Sequence, residues 1–476
     1  MKANEQDIPL CIDLDGTLLK TDTLLESLIL LFRHEPLTFL RLPWWMRRGK
    51  AHLKRRVAER VHLPVDRLPY HRDLLRFLQE EKKNDRRILL VTAADDIVAK
   101  RISAHTGLFT ETFGSDGQKN LRGEAKAALL EGRFGLKGFI YAGNSRWDLP
   151  VWEKASQAIV VGAKPSLLKR IENHTPVLRA FSGASSSWMI LARALRLHQW
   201  IKNILIFFPL ITAHRIFEPS FFLHASAAAL SFSLAASAAY LVNDLFDLQE
   251  DRLHTWKQDR PLSAGDLSLQ HALFLIIGCM LVSFLIATTL PFAFVVVLGT
   301  YVVLTTLYSL ILKRLPLVDT FILAGLYILR IVAGHAATHV AYSAWLLLFA
   351  LFLFFSLALM KRYTELYFAR SEGISTLIRE GYSLTDIEHI RIFGAVSASL
   401  AVLVLALYVN SEAVRPLYRL PQILWLLCPL LLYWVSRIWF LAARGEIRGD
   451  PILFAVRDPM SYVVGGIAAI TMLAAT

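Results

Sequence analysis

From residue 203 onward the chain alternates apolar runs, most long enough to cross a bilayer, with short polar connections. The runs fall at 203–213 extended by its flanks, 221–242, 271–290, 292–312, 318–337, 342–360, 390–409, 420–441 and 452–473. A backbone that must satisfy its own polar groups in hydrocarbon does so as helix, so an all-α polytopic membrane part of about nine spans is expected over 191–476. Residues 1–175 instead mix charge and apolarity like a soluble domain. A linker is expected over 176–190, around Ser182-Gly183-Ala184-Ser185-Ser186-Ser187. The high apolar content, 55% of 476 residues, is therefore concentrated in one part of the chain.

Basic residues orient the spans. The even connections hold Arg252, Lys257 and Arg260; Lys313 and Arg314; Lys361, Arg362, Arg370 and Arg379; and Arg444, Arg448 and Arg457. The odd ones hold Arg215, Arg415 and Arg419. Positive charge stays inside, which predicts an integral plasma (inner) membrane protein with a cytosolic N-terminus and an outside C-terminus. The polar start, Met1 to Asp7, does not read as a signal peptide. The net charge of +13 is read as topology and phosphate binding rather than nucleic-acid binding, because no stacking-aromatic pattern accompanies it. The three cysteines, Cys11, Cys279 and Cys428, are too scattered for a disulfide framework or a metal cluster.

Chemistry concentrates where the run 221–242 meets water, at Asn243-Asp244-Leu245-Phe246-Asp247-Leu248-Gln249-Glu250-Asp251. On a helix, Asp244, Asp247 and Asp251 share a face at i, i+3 and i+7, and Asn243, Asp247 and Asp251 share one at i, i+4 and i+8. Like charges so close repel, and a hard divalent cation removes the conflict; Mg²⁺ so held completes its shell with substrate phosphates. His254, Lys257 and Arg260 follow as candidate phosphate partners. Within the apolar runs, Asp319 and Arg330 are candidates by default: eleven residues apart, they sit about three turns along one face. Each could instead pair elsewhere. Lys361 and Arg362, with Glu365 one turn on, suit a phosphate site or simply topology.

In the soluble part, Ile8-Pro9-Leu10-Cys11-Ile12 reads as a buried strand running into Asp13-Leu14-Asp15-Gly16-Thr17-Leu18. Alternation projects Asp13 and Asp15 the same way at the carboxyl edge of a sheet, where α/β folds hold ligands. A second strand, Arg87 to Val91, ends in Thr92. Residues 19–76 are helical in pattern and form the expected cap. It contains the basic, aromatic run Phe39-Leu40-Arg41-Leu42-Pro43-Trp44-Trp45-Met46-Arg47-Arg48, which suits either a headgroup surface or an ordinary cap core. A strand over 158–161 is expected to close the domain.

The motif D-x-D-G-T-L after a strand resembles the haloacid dehalogenase-type phosphatases, an α/β Rossmann-like fold with a helical cap. The resemblance implies Asp13 as the nucleophile and Asp15 as general acid and base. It further implies Thr92 and Lys126 as phosphate ligands. Mg²⁺ would be held by Asp13, Asp15 through its carbonyl, and Asp148, with Asn144 replacing a common aspartate so that Asp148 carries more of the binding. The membrane part, through N-D-x-x-D-x-x-x-D and Arg260-Pro261, resembles the UbiA-type intramembrane prenyltransferases. Leu195 to Asn203, Tyr308-Ser309 with Lys313, Asp319…Arg330…Gly334, Lys361 to Leu366, and Asp450-Pro451-Ile452…Asp458 resemble its decaprenyl-phosphate phosphoribosyltransferase branch.

The resemblance implies a second Mg²⁺ on Asp244, Asp247 and Asp251, and phosphoribosyl diphosphate and a polyprenyl phosphate as substrates. Asn243, Lys202, Asn203, Lys257, Arg260, Lys313, Asp319, Arg330, Lys361, Arg362 and Glu365 are the substrate-binding candidates. The fused phosphatase would remove the 5-phosphate of the product. Transfer of a prenyl group to an aromatic or other acceptor, with a phosphatase domain of unrelated substrate or regulatory role, is the alternative, disfavoured because a second D-x-x-x-D is absent at 361–366. A transporter or scaffold is a third reading, opposed by aspartates at the boundary rather than at mid-bilayer. Oligomeric state stays open, a homo-oligomer being one outcome.

Overall fold

The structure, a computed structural model, describes residues 8–182, 188–254, 257–373, 381–412 and 418–476. The expected linker run from Gly183 to Ser187, and Arg379 and Arg415, lie outside them. The chain forms two compact units, Met1–Ala194 with Asp244–Phe274, and Leu195–Asn243 with Leu275–Thr476.

The first unit is built on a parallel six-stranded sheet in the order β3-β2-β1-β4-β5-β6. The strands are β1 Leu10–Ile12, β2 Ile88–Asp95, β3 Glu111–Ser115, β4 Ile140–Gly143, β5 Gln157–Val161 and β6 Val177–Phe181. The last of these extends the sheet one strand beyond the one expected to close it. Leu10 pairs with Ile88 on one side and Ile140 on the other, so β1 is central. Strand order reverses at β1, the place where doubly wound sheets open a crevice at their carboxyl ends. Burial alternates as a two-sided sheet requires. Ile12, Leu90, Ala142 and Ile159 pack on one face. Cys11, Leu89, Val91, Tyr141 and Val160 pack on the other.

Between β1 and β2 come the cap helices Thr23–His34, Pro36–Phe39, Leu42–Arg47, Lys50–Arg60 and Arg72–Lys83. Asp22 starts the first of them, accepting from the Leu25 amide at 2.9 Å.

Seven helices among the described residues are long and apolar enough to cross a membrane. They are Pro219–Phe246, Leu269–Ala287, Phe292–Leu310, Val318–Thr338, Ala344–Ser371, Leu384–Val409 and Pro421–Ala443, and a shorter apolar helix, Pro459–Ala475, follows. The first expected span does not form one helix. Leu197–Phe207 is 3₁₀ and Phe208–Thr212 a single short α-turn. Eleven apolar residues are too few to cross, and a proline at 209 precludes a continuous ladder.

Along Leu269–Ala287, the exposed Phe274, Ile277, Leu281 and Leu285 form a stripe at helical spacing suited to lipid. Inward faces use small residues and hydroxyls. Ser231 Oγ donates to the Ser283 carbonyl at 2.8 Å, and Ser283 Oγ returns a bond to the Ser231 carbonyl at 2.7 Å. Ser356 and Ser397 likewise donate to the carbonyls of Gly394 and Phe352 at 2.7 and 2.8 Å. Gly334 is required by packing, since a Cβ there would lie 2.1 Å from the Ile206 carbonyl oxygen.

Candidate functional sites

In the first unit Asp13 follows directly on β1, and its amide donates to the Ala142 carbonyl at 3.0 Å. Lys126 Nζ donates to Asp13 Oδ1 and to the Tyr141 hydroxyl, both at 2.8 Å. That hydroxyl donates to Asp148 Oδ1 at 2.8 Å. One ammonium and one phenol thus stand between two buried carboxylates that would otherwise repel. Burial pushes the Asp13 carboxyl up despite Lys126. Asp15 is pushed up to about 7 by burial, with Asp22 adding repulsion and the Thr23 amide opposing. That amide donates to Asp15 Oδ1 at 2.9 Å. An acid with this value gives up or takes a proton near neutrality.

Gly16, at φ +75°, makes the turn, and a Cβ there would lie 2.0 Å from Asn144 Nδ2. Thr92 is fully buried and its Oγ1 accepts from the Ala94 amide at 3.0 Å. The hydroxyls of Thr17 and Thr21 are buried with no hydrogen-bond partner among the described residues, as suits a place awaiting a polar ligand. Asp13, Asp15, Thr92, Lys126 and Asn144 therefore share the crevice.

Asp148 is held by its own loop. Its Oδ2 accepts from the amides of Asn144 and Ser145 at 3.2 and 3.0 Å and from Ser145 Oγ at 2.9 Å. Oδ1 accepts from Tyr141 alone and keeps a lone pair for a cation, so the loop that holds Oδ2 leaves one oxygen of Asp148 able to serve as the metal ligand expected of it. The oxygens suited to a hard cation are the Asp13 carboxylate, the Asp15 carbonyl, the Asn144 carboxamide and Asp148 Oδ1.

Sequence reasoning also missed Lys54, on the cap helix Lys50–Arg60, whose Nζ donates to the Ala93 carbonyl and, at 3.0 Å, to Asn120 Oδ1. Burial pulls its ammonium down against the pull of Asp15 and Asp22. Its only sequence signal was a lysine in a basic helix. Tyr141 had no role in the sequence reading.

The aspartate-rich stretch belongs to the same unit. Helix Pro219–Phe246 carries Asn243 and Asp244, breaks at Asp247, and resumes for one turn, Leu248–Asp251. The break replaces the continuous helix expected, but Asp244 and Asp251 still converge. Arg260 Nη1 contacts Asp244 Oδ1 at 3.0 Å and also Asp251 Oδ2, and Lys257 lies 3.7 Å from Asp251 Oδ1. Burial pushes the Asp251 carboxyl up, with Arg260 and Lys257 opposing. A guanidinium thus stands where two carboxylates meet, and hard oxygen donors around one cation also fit Mg²⁺. Among the described residues no three acidic, histidine or cysteine side chains form a ready-made metal group, and Asp247, in the break between the two helical pieces, adds its charge to that of Asp244 beside Asp251.

The base of this loop is fixed by the cap. Arg252 donates to both Glu26 oxygens at 2.9 and 2.6 Å, and Gln249 Nε2 to Glu26 Oε2 at 2.8 Å. Glu26 lies one turn beyond Thr23 on the helix that holds Asp15. Nothing in the sequence pairs residues 26 and 252.

In the membrane unit Asp319 and Arg330 do not act on each other. Arg362 Nε donates to Asp319 Oδ2 at 2.6 Å, its Nη2 to the Tyr308 hydroxyl at 3.2 Å, and its Nη1 to Glu365. Tyr382 donates to Asp319 Oδ1 at 2.6 Å. Arg330 Nε donates to Asn203 Oδ1 at 2.9 Å, its Nη1 to the Leu326 carbonyl and its Nη2 to the Tyr301 hydroxyl at 3.4 Å. Lys202 pairs with Asp450. Lys361 is half-buried, as is Lys313 at the end of its helix.

The fold and sites define a phosphoryl-handling α/β domain joined to a polytopic helical membrane domain. The chain belongs to the UbiA prenyltransferase family, which matches residues 204–456, and residues 10–153 match the haloacid dehalogenase-like hydrolases. An uncharacterized protein, y4nM, of Sinorhizobium fredii is 36% identical over 98% of this chain and 90% of its own length, so the fused architecture is shared. The decaprenyl-phosphate phosphoribosyltransferase of Mycobacterium tuberculosis (strain ATCC 25618 / H37Rv) is 31% identical over 45% of this chain and 72% of its own. A UbiA homolog from Archaeoglobus fulgidus, solved with DMAPP and Mg²⁺, is 18% identical over 59% of this chain and 96% of that one, with a TM-score of 0.46.

Proposed function

We propose that the membrane domain transfers 5-phosphoribose from phosphoribosyl diphosphate to a polyprenyl phosphate, and that the phosphatase-like domain removes the 5-phosphate of the product. The convergence of Asp244 and Asp251 on one cation carries this reading, supported by relatives named for that transfer and by the single acid in Lys361-Arg362-Tyr363-Thr364-Glu365-Leu366.

Asp244 and Asp251, with Asp247 in the break between them, would hold Mg²⁺, which when bound stabilises the diphosphate as it leaves. Lys257 and Arg260, displaced from the carboxylates, hold its outer oxygens. The C1–oxygen bond to diphosphate breaks as an anionic oxygen of the polyprenyl phosphate bonds to C1, so no base is needed. Lys361 is assigned to that acceptor phosphate. Lys202 and Arg362, each committed to a carboxylate, position Asp450 and Asp319.

In the second step an Asp13 oxygen attacks phosphorus while Asp15 donates its proton to the departing 5-oxygen. Asp15 then takes a proton from the water that releases phosphate. Lys126 and Thr92 hold the phosphoryl oxygens, and a cation on Asp13, the Asp15 carbonyl, Asn144 and Asp148 would lower the repulsion between carboxylate and phosphate. By the distribution of basic residues, this domain lies in the cytosol and the C-terminus outside.

The test supplies membranes with ribose-labelled phosphoribosyl diphosphate and polyprenyl phosphate. Wild type is expected to form lipid-linked ribose, Asp13→Asn to accumulate lipid-linked phosphoribose, and Asp247→Ala to form neither. Equal lipid labelling by Asp247→Ala would remove the transferase reading. Loss of the 5-phosphate with Asp13→Asn would remove the second step.

A further inference from the structure

Among the described residues up to 182, eight large hydrophobic side chains are exposed, and five of them, Phe32, Leu37, Leu40, Trp44 and Met46, lie within one stretch of the cap. Scattered apolar residues are ordinary on a soluble surface, but a cluster of this kind marks a binding face. The two tryptophans of the stretch separate cleanly. Trp45 is 6% exposed and packs in the core, with Arg60 over its ring, whereas Trp44 is 60% exposed. Leu37 and Leu40 are 80% and 75% exposed.

Arg41, Arg47, Arg48 and Lys50 surround these side chains, all exposed and none in an ion pair with a described carboxylate. The face is also continuous with a membrane helix. Phe32 meets Phe39 edge-on at 5.1 Å and stacks on Phe246 at 5.7 Å. Arg33 donates to the Phe246 carbonyl at 3.1 Å. Phe246 is the last residue of the candidate span Pro219–Phe246, whose end marks the level of the headgroups.

We propose that the cap segment Pro36–Arg48 docks on the anionic surface of the bilayer that the chain itself spans. Leu37, Leu40 and Trp44 enter the headgroup boundary, and Arg41, Arg47 and Arg48 pair with lipid phosphates. The indole of Trp44 suits a place where one edge is wet and the other apolar. Charge selects the partner: a second protein would need an acidic, apolar surface, whereas an anionic leaflet supplies both features at the height where Phe246 leaves the membrane. Docking would keep the cap, and the crevice beneath it, at the surface from which a lipid-linked substrate presents its polar head. That consequence rests on the function proposed above; the docking does not.

The full chain, reconstituted in nanodiscs, provides the test. In a Cys279→Ala, Cys428→Ala background that keeps the fully buried Cys11, spin labels are placed singly at Leu37→Cys, Leu40→Cys, Trp44→Cys and, as an aqueous reference, Leu136→Cys. In discs with anionic lipid, the ratio of oxygen to nickel-chelate accessibility should be several-fold higher at 37, 40 and 44 than at 136. It should fall towards the reference in purely zwitterionic discs or when Arg41, Arg47 and Arg48 are changed to Glu. Water accessibility at the three positions equal to that at 136 overturns the proposal. So does shielding from both reagents, which would mean that protein covers the face. Because accessibility is read without turnover, the outcome is independent of the transfer and phosphatase assays.

Discussion

Two arginine–carboxylate clusters in this protein look alike on paper and differ in one physical respect. Around Arg362 the guanidinium side chain is 1% exposed and its partner Asp319 0%. At the aspartate loop Arg260 is 28% exposed, while Asp244 and Asp251 are 6% and 1%. In the first cluster the Arg362–Asp319 pair is buried, with the other guanidinium nitrogens on Tyr308 and the partly exposed Glu365, and a ligand would reach the guanidinium only by breaking that buried pair. The second has a cation at the rim and acids within, so a better cation can take its place with little loss. Exposure of the positive partner, rather than the pairing itself, is what distinguishes the site proposed for Mg²⁺ from the buried pair.

That contrast can be broken, most severely at the buried pair. Arg362→Ala should leave Asp319 buried and unpaired, cost about 3–5 kcal/mol, and appear as a large drop in thermal midpoint in detergent. Asp251→Asn should leave the midpoint nearly unchanged while lowering transfer by about 10²–10³-fold, the usual effect of losing one charge-stabilising group. If both variants merely unfold, the distinction between the clusters is lost.

Arg260→Gln sharpens it further. Freed of their cation, Asp244 and Asp251 should bind Mg²⁺ about tenfold more tightly by calorimetry, a change near 1.4 kcal/mol. Stability should fall, since Asp244 and Asp251 are only 6% and 1% exposed, but by less than with Arg362→Ala, because Lys257 still lies 3.7 Å from Asp251.

The smallest effect concerns the other site. Asp15 must be protonated to release the first product, so hydrolysis limited by that step should fall about tenfold per pH unit above about 7. The sign for stability is the same. A carboxyl raised by burial binds its proton more tightly in the folded chain, so its contribution is complete at low pH and is lost as pH rises through about 7. Asp15→Asn should remove both slopes, in a phosphate-release assay and in unfolding curves at pH 5 and 8.

The parts legible in the sequence are those set by local periodicity. Asp13 and Thr92 follow from strands with hydrophobic runs, and Asp244 and Asp251 from their place at the end of an apolar helix. What the sequence hid is tertiary. Arg362 reaches back 43 positions to Asp319, and Arg330 127 positions to Asn203, and no window of residues contains either pair. Asp148 adds an ambiguity of a local kind. Its position was right for the loop, but a carboxylate four residues after Asn144 can cap the local amides just as well as it can reach a ligand. The run 203–213 looked like a span by composition, although its length already fell short of the roughly 20 residues a bilayer needs.

Glu26, with its partners Arg252 and Gln249, makes the two parts of the chain poor candidates for separate lives. A fragment trimmed after Ala194 would retain every strand and every residue of the phosphatase crevice, yet lose Arg252 and Gln249, the partners of a carboxylate that is 0% exposed in the whole chain. Such a fragment should be rescued in part by Glu26→Leu, a change that weakens the intact chain. Gene fission, easy to draw between a soluble and a membranous half, would thus have to pass through an unstable ancestor.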